Sequence, residues 1–81
     1  MINVEIGHNL KSEEIPFDKN TTLREAFEAA GYKYAGTTIT LDGAAISPGD
    51  LNKTFAELGY DGSEGHDEAT LFAITKTDNA R

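Results

Sequence analysis

The sequence predicts an α+β fold in which one main helix covers one face of a four- to five-strand mixed sheet. Three observations carry this. Ile2, Val4 and Ile6 alternate with Asn3 and Glu5, the period of a strand with one buried face. Leu23, Ala26, Phe27 and Ala30 recur at i, i+3, i+4 and i+7, the apolar stripe of a helix. Leu71-Phe72-Ala73-Ile74 is apolar on both parities, as in a central strand flanked by neighbours. With 81 residues the chain is expected to form a single domain over 1–81, with a polar, frayed tail at 78–81.

The elements follow in order. Gly7-His8-Asn9 is expected to turn the chain back after the first strand. Ile15 and Phe17 continue the alternation on a second strand over 11–17. Pro16 lacks a backbone N–H, which places that strand at a sheet edge. Thr22-Leu23-Arg24-Glu25 has the spacing of a capping box, with Thr22 as N-cap and Glu25 three residues on. Gly31 is placed to end the helix in a left-handed conformation.

A hairpin comes next, from the β-branched run Thr37 to Leu41 into Ala44 to Ile46. Asp42-Gly43 is a favoured two-residue turn, because both central positions take φ > 0. Ser47-Pro48-Gly49-Asp50 breaks the pattern. Leu51, Phe55 and Leu58 then predict a short helix capped by Asp50 and stopped by Gly59. The acidic, Gly- and Ser-containing stretch 61–68 reads as a solvated loop, and the last strand as 69–77.

One main helix covers only one face of such a sheet. The inward set is Ile2, Val4, Ile6, Ile15, Phe17, Ile39, Leu41, Leu71 and Ala73, packing on Leu23, Phe27 and Ala30. The opposite face then carries Phe72 and Ile74, with Thr38 and Thr40 on the adjoining strand. An exposed apolar cluster rimmed by polar groups marks an interaction surface. These four residues are the candidate partner-binding site, either for a protein partner or for self-association.

The order of elements resembles the β-grasp fold of ubiquitin and of the small bacterial sulfur carriers, over nearly the whole chain. Leu41-Asp42-Gly43-Ala44-Ala45-Ile46 looks like a ubiquitin hairpin. Leu51 through Gly59 sits where ubiquitin has its short helix, and Glu68-Ala69-Thr70-Leu71 looks like the start of its last strand. The resemblance implies a binding surface on the open sheet face. It also implies an alternative role, a modifier or sulfur carrier activated at its C-terminus. That chemistry runs through a C-terminal Gly-Gly, and this sequence has Asn79-Ala80-Arg81 instead. The resemblance therefore carries the fold and not the conjugation chemistry.

Other functions find little support. There is no cysteine, so no disulfide, cysteine nucleophile or thiolate metal site is available. His8 and His66 fall on expected loops without a second ligand at metal spacing. Asp61, Ser63, Gly65, Asp67 and Glu68 suggest a calcium loop only superficially, since Gly65 takes the fifth position and no glutamate the twelfth. Glu13, Glu14, Glu25 and Glu28 lack the cleft that shifts carboxylates into acid–base work. No catalytic residue, metal or cofactor is therefore expected.

The net charge of −7 argues against nucleic acid and anionic membranes. It favours a protein partner with a basic surface. The opening Met1 to Ile6 has no basic region and no continuous apolar stretch, so the cytoplasm is the expected location.

Overall fold

A computed structural model describes residues 1–75. Strands β1 (Ile2–His8) and β2 (Lys11–Phe17) form a first hairpin, and helix α1 (Leu23–Ala30) follows. Strands β3 (Thr38–Leu41) and β4 (Ala44–Ile46) form a second hairpin. Two 3-10 turns, Pro48–Asn52 and Ala56–Leu58, lead to strand β5 (Glu68–Ile74). The five strands lie in the order β2-β1-β5-β3-β4. β1 and β5 run parallel, and every other neighbouring pair is antiparallel. This is an α+β fold with the β-grasp arrangement.

The core sits between α1 and one sheet face. Ile2, Val4, Ile6, Phe17, Ile39, Leu41, Leu71 and Ala73 are buried against Leu23, Ala26 and Phe27. Ile15 and Ala30 are only half-buried at its margin, while Leu51, Phe55 and Ala69 complete it. Phe17 and Phe55 stack with ring centroids 6.2 Å apart. Tyr34 stacks on Phe27 at 5.5 Å, so Tyr32 and Tyr34 close the rim of the core.

The helix begins as its sequence dictates. Glu25 N donates to Thr22 Oγ1 (3.1 Å), and Thr22 N donates to Glu25 Oε1 (3.0 Å). Gly31 ends the helix at φ 83°. In the second hairpin Asp42 and Gly43 both have positive φ, 52° and 87°. The Asp42 side chain also ties this turn to its surroundings. Its Oδ1 accepts from Thr70 N (2.9 Å), and Tyr60 OH donates to its Oδ2. Asp42 N in turn donates to Thr70 O (2.7 Å).

Four expectations need correction. Gly7 and His8 belong to β1, and the turn is Asn9-Leu10, with Asn9 at φ 56°. The expected helix over 51–59 is instead two separate 3-10 turns. In the first of them Asp50 is the third residue and not the cap; it accepts from Ser47 N (3.3 Å). The second has its own capping box, in which Thr54 N donates to Glu57 Oε1 (2.8 Å) and Glu57 N to Thr54 Oγ1 (3.1 Å). The last strand begins at Glu68 and ends at Ile74, and the expected frayed tail at 78–81 lies outside the described residues.

Candidate functional site

The open sheet face is built by strand alternation. Thr38 stands opposite Ile74, and Thr40 opposite Phe72. The intervening Ile39, Leu71 and Ala73 are buried, so these four side chains share the face away from α1. Across the parallel pair, Gly7 registers with Phe72, Glu5 with Thr70, and Asn3 with Glu68. On β2 the matching positions are Ser12, Glu14 and Pro16.

The four sequence-derived residues differ in role. Ile74 is 42% exposed although large and apolar. Thr38 is exposed and Thr40 half-buried. Phe72 is half-buried because its ring leans over Gly7. A Cβ on Gly7 would stand 2.9 Å from Phe72 Cε2 and 2.7 Å from Ser12 Cβ. Phe72 is therefore partly a packing residue and partly surface.

Leu10 is an apolar surface residue that the sequence reading missed. It is fully exposed in the β1–β2 turn. The turn lies at the Ile74 end of the sheet. Asn9 N donates to Ala73 O (3.0 Å), and Thr75 N donates to Asn9 Oδ1 (2.9 Å). A leucine between two alternating strands is the available signal, hidden by starting the turn two residues too early, at Gly7 in place of Asn9.

The polar candidates are engaged locally. His8 is half-buried at the end of β1, with Nε2 2.9 Å from Thr75 Oγ1. His66 is exposed in the loop before β5. Asp61 Oδ1 accepts from Ser63 Oγ (2.6 Å) and Ser63 N (3.0 Å). Those bonds hold its carboxyl below the usual range. Glu13 accepts from Tyr32 OH (3.2 Å) and Glu28 from Tyr34 OH (2.8 Å), while Glu25 closes the helix cap. Among the described residues no three His, Cys, Asp or Glu side chains are grouped to hold a metal ion.

A cleft of about 350 Å³ lies on the helix side of the sheet, between Tyr34, Ile39, Ile46, Pro48 and Leu51. Its volume is at the low end for a small-molecule site. Tyr34 is its one ionisable lining residue, and the bond to Glu28 raises that phenol's pKa. Nothing there is arranged as an acid–base pair.

No protein-family model matches the chain, and no curated protein matches it significantly. The fold class therefore stands on sheet order, strand sense and register. Among the described residues no helix is long and apolar enough to cross a membrane.

Proposed function

We propose that this chain is a non-catalytic ubiquitin-like β-grasp protein, acting as a protein-interaction module through the open face of its sheet. One observation carries the reading. Ile74 is exposed beside Thr38 on a face that no element of the described chain covers, and Phe72 and Leu10 lie at the same end. A large apolar side chain left in water at a flat sheet face gains by docking against a partner.

Partner capture by the tagged full chain tests this. Ile74→Asp is expected to abolish capture while moving the thermal midpoint little, since the side chain is already exposed. Phe72→Asp is expected to abolish capture and also destabilise, because its ring packs on Gly7. Undiminished capture by the Ile74→Asp, Phe72→Asp double variant counts against the reading. So does an adduct that survives denaturation and joins through Arg81, which would assign the modifier role instead.

A further inference from the structure

Carboxylates and apolar groups are segregated on the open face. Phe72 and Ile74 occupy one end, next to the turn that carries the exposed Leu10, and Glu5, Glu14 and Glu68 lie toward the other. Glu5 stands directly opposite Glu14 across the antiparallel pair. Like charges in that position destabilise a sheet. The internal relief is slight, one bond from Ser12 Oγ to Glu5 Oε2 (3.2 Å). None of the positions that the strand registers place on this face holds Lys or Arg. The described cations lie elsewhere, with Lys11 on the Ile15 side of β2, Arg24 on α1, Lys19 and Lys33 in the loops before and after α1, and Lys53 paired to Asp50 at 3.1 Å.

We propose that the open face takes a cationic amphipathic helix, whose apolar residues cover Phe72 and Ile74 and whose Lys or Arg residues reach Glu5, Glu14 and Glu68. This rests on the interaction-module reading above. The backbone groups of β1, β5 and β3 are already paired on both edges. A partner over them must therefore bring side chains and not a strand, and one helix face supplies a stripe of them. The six-residue step from Ile74 to Glu68 spans roughly 20 Å along the strand. A helix of about 13 residues covers that length. Phosphate-bearing partners are repelled by the carboxylate end, and a second copy of this chain brings its own net charge of −7.

The probe is a synthetic helical peptide with two leucines one turn apart, followed by two lysines on the same face. Its counterpart carries glutamine for lysine. Amide chemical shifts of the full chain are followed during titration. The lysine peptide is expected to move the amides of Glu5, Glu14, Thr70, Phe72 and Ile74, and to bind less tightly as salt rises. The glutamine peptide is expected to bind roughly fivefold more weakly. Glu5→Gln with Glu14→Gln is expected to raise the thermal midpoint and yet weaken the lysine peptide, a pairing of effects that a merely structural role does not produce. Equal binding of both peptides at these amides overturns the charge inference and leaves the interaction-module reading standing. Failure of the lysine peptide to bind this face overturns the inference as well. Ile74→Asp capture then decides the broader reading separately.

Discussion

The Phe72 ring rests on Gly7, and the absence of a side chain at Gly7 is what lets it lie down on the sheet. A Cβ there meets Phe72 Cε2 and Ser12 Cβ, and comes closer still to the Lys11 carbonyl oxygen. The last of these is backbone and cannot rotate away. Gly7→Ala is expected to cost about 1–3 kcal/mol by denaturant unfolding. Phe72→Ala in the same chain does not restore it, because the Lys11 contact remains. Full rescue would mean that the ring alone excludes a side chain at Gly7.

Asp42 combines a left-handed backbone with two accepted hydrogen bonds. Asp42→Ala removes both bonds and places a Cβ-bearing residue without local compensation at φ 52°. A loss of about 2 kcal/mol is expected. Asp42→Asn keeps an acceptor and tolerates the conformation, so it is expected to lose less than half of that. Equal losses for the two variants would show that charge, not geometry, is the source.

Two capping boxes abut. Thr22 and Thr54 form an isolated antiparallel bridge, with Leu23 N donating to Lys53 O (3.1 Å) and Phe55 N to Thr21 O (3.1 Å). Each box starts its own turn, and the bridge fixes one start against the other. Thr22→Ala and Thr54→Ala are each expected to cost about 1 kcal/mol. Together they are expected to cost less than the sum, since the first already loosens the shared bridge. Strict additivity in the double-mutant cycle refutes that coupling.

Alkaline pH tests the Tyr60–Asp42 contact. Burial and the bond to Asp42 push the Tyr60 phenol up to about 12. The folded state thus holds this proton more tightly than the unfolded chain does. The stabilisation is complete below about pH 10, the unfolded value, and is lost as pH rises through about 12. Tyr32 shifts the same way, through desolvation and its bond to Glu13, and Tyr34 through its bond to Glu28. The thermal midpoint is expected to fall above pH 10, and less steeply in Tyr60→Phe. Parallel profiles for the two chains would rule out the Tyr60 contribution.

The elements with a dense local code were legible in the sequence. Thr22, Glu25 and Gly31 each supply a terminus signal acting within a few residues, so α1 was readable in full. Asp42-Gly43 fixed its turn for the same reason. Gly7 misled because a glycine that breaks a strand and one that admits a neighbour look alike in one dimension. The 47–59 stretch misled because Leu51, Phe55 and Leu58 keep helical spacing while Lys53 lies extended between two short turns. Phe72, Ile74, Thr38 and Thr40 followed from parity alone, which assigns a face correctly. The acidic group formed by the facing Glu14 and Glu5 and the diagonal Glu68 depends on which strands are neighbours, and pairing between distant segments is not written in any local pattern.

The sheet order also sets a timetable for the growing chain. The two hairpins do not touch each other in the sheet, since β5 lies between β1 and β3 and joins them. Until residues 68–74 have been made, β1 and β3 each keep an unpaired edge, and two half-sheets wait for the strand that unites them. Assembly of the sheet is thereby deferred until β5 has been made, and the β1–β5 register that completes it joins residues 3–8 to residues 68–73. A chain cut before Glu68 is expected to aggregate, and a separate peptide carrying 68–74 to complete the fold when supplied in trans.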